Sequence, residues 1–465
     1  MAPPQRHTKS AECAEMTSAV LPADIASLLF PVASQSPSNR PELPIRIVRA
    51  IFSQAIDPPD MIDPAHLNLR HLRAFVAICR AGSITRAAEV VHLSQPAITQ
   101  GLARLEAAVG ASLFVRHGRG LTPSDEGRIL AFRSERGLDT LETGLTEAYR
   151  RARTPRPSKV AARLTAAHLR ALVAIDDARS FSAAARALGL AQPSVHRAAR
   201  DLELATGLAL FETTSSGTAL TRAALRLSRA TRLMLAELRQ GLSEIAQRHG
   251  RALPGIRIGA LPLARSTVLP EVVDRVTAGA GPLRVQIIDG PYPDLLRALR
   301  QGDLDLMVGA LRDPCPPDMV QEPMFADRLG VFCGPGHPLL GLPDPTGRLT
   351  DFPWVLSPLG TPTRTWIEAA LPDLLRAALP ELVETSSMVM VRGLLQSGRR
   401  LTIISRNQVA TEVRTGLMRE LPVTLADRPR PIGITSRADW VPTPAQTAVL
   451  AALRTVAADW KESQI

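Results

Sequence analysis

The sequence predicts a mixed chain: two mainly α-helical winged helix–turn–helix domains followed by a larger α/β body. Three observations predict it. Residues 71–106 carry HLRAFVAI and then SITRAAEVVHLSQPAITQGLARLE, and residues 168–203 carry HLRALVAI and then SFSAAARALGLAQPSVHRAARDLE. The copies register without a gap: Leu72 and Leu169, Gln95 and Gln192, and Glu106 and Glu203 are each 97 apart. Each has the form of a helix–turn–helix, which holds one short helix out toward a nucleic-acid groove, and two copies are too few for a solenoid. Secondly, from residue 256 strands and helices alternate through IRIGAL, LRVQIID, LDLMVGAL, RLGVFCG, WVLS, LTIIS and PIGITS, which predicts an α/β body with substantially parallel sheets. Thirdly, residues 67–250 hold 27 Lys and Arg against 15 Asp and Glu, a net of +12 in a chain of formal charge +11. All the excess positive charge lies on the duplicated part, as a phosphate-binding surface beside a neutral ligand-binding body requires. Lysine is confined to Lys9, Lys159 and Lys461; a compositional bias explains Arg over Lys but not the regional asymmetry.

A length of 465 residues leaves room for about three domains. Residues 1–66, rich in Pro, Ser and Ala, are predicted to be a disordered N-terminal extension. Met61, just before the first periodic helix, is an equal alternative to Met1 as the start of translation. The stretch Ser18–Ala33 faintly resembles a leader, but Pro22, Asp24 and Pro31 interrupt it and the domains downstream argue against export. No run of 18 apolar residues exists, so no membrane partner is expected. Cys13, Cys79, Cys315 and Cys333 have no metal-ligand spacing and read as buried or neutral thiols of a reducing compartment.

The first domain is placed at 67–153. Leu69, Leu72, Phe75, Val76 and Cys79 make one apolar helical face. Ser83 is expected to cap the next helix, and Ser94 the third, whose first turn accommodates Pro96. Ile98, Leu102 and Leu105 point inward and leave Gln95, Thr99 and Gln100 outside. Gly110 ends that helix, and LFV and GLT form a wing around Arg116-His117-Gly118-Arg119. A long amphipathic helix follows, to about Arg151. Residues 154–163, opening on Thr154-Pro155-Arg156-Pro157, are a linker. The second winged domain with its own long helix takes 164–250, and the α/β body takes 251–465.

At SQPAITQGLARLE and the LF…R…LT wing the chain resembles the LysR-type transcriptional regulators. The likeness continues through GIRIGALPLA, RQGDLDLMVGAL, GHPL and PIGITSRADWVPTPAQ. It implies a sequence-specific, DNA-binding regulator of transcription with a dimerising linker helix. The body would be a two-subdomain domain like the type 2 periplasmic solute-binding proteins, binding a small-molecule effector between its subdomains. It also implies a homodimer or homotetramer in the bacterial cytoplasm, on the nucleoid, with RNA polymerase as a partner if it activates. The segment DFPWVLSPLGTPTRTWIEAAL is most similar to a branch that includes a regulator of sugar-binding-protein expression, so a sugar or small organic acid is the effector class expected. No cofactor and no metal are implied. The departure from the family is the second winged domain.

A helix in the major groove reads base edges through amide and guanidinium groups, Gln pairing with adenine and Arg with guanine. By matched position the DNA-binding candidates are Gln95, Pro96, Thr99, Gln100, Arg104, Arg116 and Arg119 in copy one. In copy two they are Gln192, Pro193, His196, Arg197 and Arg200. Arg116 and Arg119 would hold phosphates, which positions the protein without reading sequence. Gly101 weakens the copy-one helix by up to about 1 kcal/mol. Copy two has Ala191 in place of the capping serine, a loss of roughly 0.5–2 kcal/mol, and an uncharged wing from Thr213 to Gly217. Copy two is therefore either an auxiliary reader or a degenerate module kept for packing or dimerisation.

For the effector, Ser266 and Thr267 precede a helix opening near Leu269-Pro270, and Ser357, Thr361 and Arg364 lie where Ser357-Pro358-Leu359-Gly360 opens another. The hydroxyls are either ligands or helix caps; Arg364 either pairs with an anion or caps surface charge. A molybdate-responsive regulator would also join a winged helix to a ligand domain, but the solute-binding-like body argues against it. An enzyme lacks support, since no acid–base pair, nucleophile elbow or phosphate loop is found in the body. A pure solute-binding protein is excluded by the basic modules.

Overall fold

The computed structural model describes residues 62–117, 120–215, 217–279 and 282–462. Residues 1–61 of the expected extension, with both candidate start sites and Cys13, lie outside the described residues. Residues 62–66, placed at its end, instead form the 3-10 turn Pro64–His66. Asp63 caps it, accepting from the Ala65 amide at 2.8 Å, and Pro64 is buried.

Copy one consists of α1 (Leu69–Ala81), α2 (Ile84–Val91), α3 (Gln95–Val109), the hairpin β1 (Phe114–His117) and β2 (Gly120–Pro123), and the long α4 (Asp125–Ala152). After residues 154–159 comes a single helical turn, α5 (Val160–Arg163), with Val160 fully buried. Copy two repeats the plan with α6 (Ala166–Ala178), α7 (Phe181–Leu188), α8 (Gln192–Thr206), β3 (Phe211–Thr214), β4 (Gly217–Leu220) and the long α9 (Arg222–Arg248). The same side chains build both wings. Glu106 and Glu203 each accept, at 2.8 Å, the amide that leads into the first wing strand, from Leu113 and Leu210. Ser124 and Thr221 each cap the long helix and donate back across the wing, to the Ser112 and Ala209 carbonyls. One apolar core runs through both copies, from Leu67 to Ile245.

The caps differ from expectation at one place. Ser83 occupies the N-cap of α2 but its side chain makes no cap bond, whereas Ser180, its counterpart, accepts from Ala183 at 3.4 Å. The Gly101 position has a packing reason: a Cβ there would come within 2.9 Å of the His71 ring of α1.

The body holds two mixed sheets. The first takes β5 (Gly255–Ala260), β6 (Arg284–Asp289), β7 (Leu306–Ala310), β8 (Met319–Asp327) and β14 (Arg430–Arg437) in the order β6-β5-β7-β14-β8. The second takes β9 (Leu329–Cys333), β10 (Trp354–Leu356), β11 (Val383–Glu384), β12 (Leu401–Ser405) and β13 (Arg419–Glu420) in the order β11-β10-β12-β9-β13. β5, β6 and β7 run parallel, as do β10, β11 and β12; β14 and β9 pair antiparallel with their neighbours. The sheets are thus less parallel than expected. β8 has no counterpart among the strands read from sequence, because Gln321, Glu322 and Pro323 interrupt its apolar alternation. Its register with β14 shifts between Ile432 and Gly433, opposite that interruption.

The chain passes between the two sheets twice, from β8 into β9 and again into β14. Asp327, fully buried, clamps that double crossover: it accepts from Ser405 Oγ at 2.6 Å and from Asn407 at 3.0 Å and pairs with Arg430. Burial pushes the Cys79 thiol up to about 12 and the Cys333 thiol up to about 11, so both are neutral at ordinary pH. No described helix is long and apolar enough to cross a membrane, and no group of His, Cys, Asp and Glu among the described residues could hold a metal ion.

Candidate nucleic-acid interface and effector cleft

The third helix of each copy is fixed by its buried side and offers its other side to solvent. In α3, Ser94 accepts from the Ala97 amide at 3.4 Å, and Ile98, Leu105 and Val109 are buried. Gln95, Pro96, Thr99, Gln100 and Arg104 all lie on the exposed side. Thr99 donates back to the Gln95 carbonyl at 3.0 Å, which restricts its rotamer. Arg116 is exposed on β1 opposite Leu121. Arg119 lies outside the described residues.

In α8, Val195, Ala199, Leu202 and Thr206 are buried, while Gln192, Pro193, His196, Arg197 and Arg200 are exposed. Two of these are already engaged. The His196 ring stacks on Phe181 with centroids 4.1 Å apart and planes at 22°, and Arg200 donates to Glu203 at 3.0 Å. Glu203 is the residue that holds the wing strand, so Arg200 steadies that anchor. Arg197, the residue after His196, is exposed.

The helix–turn–helix requires two left-handed residues in each copy, and the copies fill them crosswise. Copy one has Gly82 (φ 65°) after α1 and His92 (φ 54°) after α2; copy two has Arg179 (φ 50°) and Gly189 (φ 64°). A non-glycine residue there costs about 1–2 kcal/mol.

The two long helices pair with each other along their length, antiparallel. Arg133 of α4, 2% exposed, joins them: it donates to Glu244 at 2.8 Å, to Glu237 at 3.0 Å and to Gln240 at 2.8 Å of α9. It also donates to the Val441 carbonyl of the body at 2.9 Å. Neither residue periodicity nor motif singles out Arg133; an Arg on an amphipathic helix reads as solvated. On the other side Arg229 of α9 and Arg300 of the body share Asp318, at 2.8 and 2.9 Å, and hold its carboxyl below the usual carboxylate range, Arg300 most strongly.

In the body, Ser266 ends a short helix, α10 (Pro262–Ser266), and Thr267 joins it to α11 (Val268–Gly279). α11 thus opens where expected, just before Leu269-Pro270, and the short α10 is an additional helix ahead of it, with Pro262 in the first turn that suits proline. Thr267 is buried and donates to the Leu263 carbonyl at 3.0 Å. Thr361 caps α13 (Pro362–Ala370; α12 is Tyr292–Gln301), accepting from the Arg364 amide at 3.2 Å and donating to the Pro358 carbonyl at 2.8 Å. Arg364 is buried; its guanidinium pairs with Glu384, meets Glu368 at 3.2 Å and reaches the Ser357 carbonyl at 3.5 Å. Its charge is thus matched inside the protein. The residue before it in α13's first turn, Thr363, accepts from Arg430, so that turn is tied to the Asp327 crossover clamp. Beside the crossover lies an open groove of about 760 Å³, lined among others by Arg328, Trp366, Arg406, Glu420 and Asp427. None of the five effector candidates lines it.

Comparison with known proteins gives this geometry its family. A family model described as "Bacterial regulatory helix-turn-helix protein, lysR family" matches twice, at residues 69–128 and 166–225. A second, "LysR substrate binding domain", matches residues 250–458. The HTH-type transcriptional regulator GalR of Pseudomonas putida is 33% identical over 397 residues, covering 85% of this chain and 99% of that protein. PcaQ of Agrobacterium fabrum, another HTH-type transcriptional regulator, is 31% identical over 300 residues, 63% of this chain and 94% of that one. Among solved structures, an OxyR C206 mutant of Corynebacterium glutamicum is 24% identical with a TM-score of 0.38, covering 64% of this chain and 94% of that one. The chain belongs to the LysR family and is a transcriptional regulator with two helix–turn–helix domains and an effector-binding domain.

Proposed function

We propose that the exposed sides of α3 and α8 enter the major groove, and that a small molecule bound between the two sheets of the body modulates this binding. The observation that carries it is the pair of helices held by buried apolar residues with Gln95, Thr99, Gln100 and Arg104, or Gln192 and Arg197, left outside. Amide and guanidinium groups so placed discriminate bases; Arg116 and Arg119 add phosphate contacts. His196 and Arg200 act as positioning residues, through Phe181 and Glu203. The double crossover clamped by Asp327 supports a hinge, with the α13 turn responding to ligand. Ser266, Thr267, Ser357 and Thr361 supply polar groups to an uncharged or weakly acidic effector, a sugar or small organic acid, and Arg364 orients the Ser357 carbonyl. The regulator works in the cytoplasm, and RNA polymerase is its further partner if it activates.

The test is a binding titration of the full chain on selected DNA at rising salt, with and without sugars and small carboxylic acids. Affinity falls steeply with salt as counterions are released; a flat response defeats the DNA reading. Ser357→Phe lowers the affinity of whichever effector shifts the curve by about tenfold or more, and an unchanged effector affinity moves the site elsewhere.

A further inference from the structure

We infer that one chain is by itself a complete two-fold DNA clamp, reading two unlike half-sites in inverted orientation without a second chain. This rests on the reading above that both α3 and α8 bind duplex DNA.

The argument is in the pairing of α4 with α9. In a two-fold interface residue i of one partner meets j of the other and j meets i. Here the two partners are copies 97 residues apart in one chain, and the rule holds. A Cβ at Gly144 would run into the Ala230 Cβ, and a Cβ at Gly241 would lie 3.1 Å from that of Arg133; Gly144 matches Gly241, and Arg133 matches Ala230. On the axis a residue should meet its own equivalent, and Gly137 meets Met234, whose Cγ would lie 3.1 Å from its Cβ; 137 and 234 are again 97 apart. Glu147 and Glu244, equivalent positions, each face an Arg of the opposite helix, Arg226 at 4.0 Å and Arg133 at 2.8 Å. At the outer ends the C-terminal part of each long helix crosses to the other copy's third helix. Tyr149 donates to the Thr206 carbonyl, and Arg251, just past α9, donates to the Val109 carbonyl at 3.4 Å. Val109 and Thr206 are equivalent last residues of α3 and α8.

The apolar stripes that would otherwise draw in a second copy are thus consumed within the chain. Two-fold related modules present α3 and α8 to inverted half-sites on one face of a duplex. Their reading surfaces are not copies, however. Gln95 and Gln192 agree, but Gln100 is matched by Arg197, Arg104 by Asp201 and Arg116 by Thr213. The half-sites should therefore share the base read by the first glutamine and differ where Gln100 favours adenine and Arg197 guanine.

The experiment is selection of binding sites from a random duplex library by the full chain and by Gln100→Ala and Arg197→Ala, with native mass spectrometry of the selected complex. Both residues are exposed, so neither change threatens folding. The expected result is an inverted pair of unlike halves with one chain per pair. Q100A relaxes one half only and R197A the other, each by about 5- to 150-fold in discrimination. A palindrome whose halves both relax with Q100A, a direct repeat, or two chains per pair overturns the inference while leaving DNA binding intact. Enrichment of no sequence overturns the DNA reading itself, and this inference with it.

Discussion

The two winged modules share the residues that build the wing and differ in their caps, wing charge and recognition surface. Equivalent residues hold both wings (Glu106 and Glu203), cap both long helices (Ser124 and Thr221) and end both third helices (Gly110 and Gly207). Beyond those residues copy one has the side-chain cap on its third helix and an arginine in its described wing. Copy two has Ala191 at that cap, no charge on Thr213 or Thr214, and His196 and Arg200 turned to intramolecular partners. The difference separates what the fold requires from what recognition requires. It also shows that decay is not one-sided, since copy one carries the strained His92 where copy two has glycine.

The pairing of the long helices supplies the largest expected effect. Arg133→Ala leaves the largely buried Glu244 without its cation, while Glu237 keeps Arg136, and should destabilise the chain by about 3–5 kcal/mol. Glu147→Ala, across the pseudo-two-fold, removes a half-exposed pair and should change stability by less than about 1 kcal/mol. Denaturant unfolding measures both, and equal losses would mean that the two sides of the axis are not distinguished. Next in size is the reading surface. Gln95→Ala with Thr99→Ala should cost about 1–3 kcal/mol of discrimination per good base contact. His196→Ala with Arg197→Ala should cost less affinity, the His196 part appearing as lost stability through Phe181. A footprint in which the copy-two pair is the more damaging reverses the ranking.

Much of this was legible in the sequence. The 97-residue repeat, the wings, the long helices and the body follow from spacing and periodicity, because apolar burial imposes them. The pairing of α4 with α9 was not legible, since an amphipathic stripe specifies burial but not the partner; the stripe served equally for a second chain. Arg133 was hidden for the same reason. β8 escaped because Gln321, Glu322 and Pro323 break its alternation, and its stability comes from pairing with β14 rather than from its own pattern. Of the effector candidates, Thr361 was legible as a cap, but the pairing of Arg364 with Glu384, 20 residues on, required the fold.

Smaller effects sharpen the same comparison. His92→Gly and Arg179→Gly should each raise stability by about 1 kcal/mol, since each relieves a left-handed residue. Ser94→Ala should lose, and Ala191→Ser gain, about 1 kcal/mol through the cap; thermal unfolding of the four variants gives the order. Asp318, which ties copy two's long helix to the body, makes the smallest difference and a pH-dependent one. Arg300 and Arg229 hold its carboxyl low, so its contribution is full above the ordinary carboxylate range and is lost as pH falls. The melting temperatures of the wild type and Asp318→Asn should differ at pH 7 and converge in acid; a constant gap would detach Asp318 from the docking.

In the one-chain clamp proposed above, the short segment 154–159 between α4 and α5 changes how occupancy depends on abundance. Tethering of this kind sets a local concentration on the order of millimolar for the second module once the first is placed. Two separate subunits dissociate on dilution, so operator filling then rises with the square of their number when they are scarce. A tethered pair fills its operator in direct proportion to the number of molecules, down to a few per cell. It also allows a mutation to alter one half of the operator preference at a time, because a change in one reader is no longer duplicated in the other.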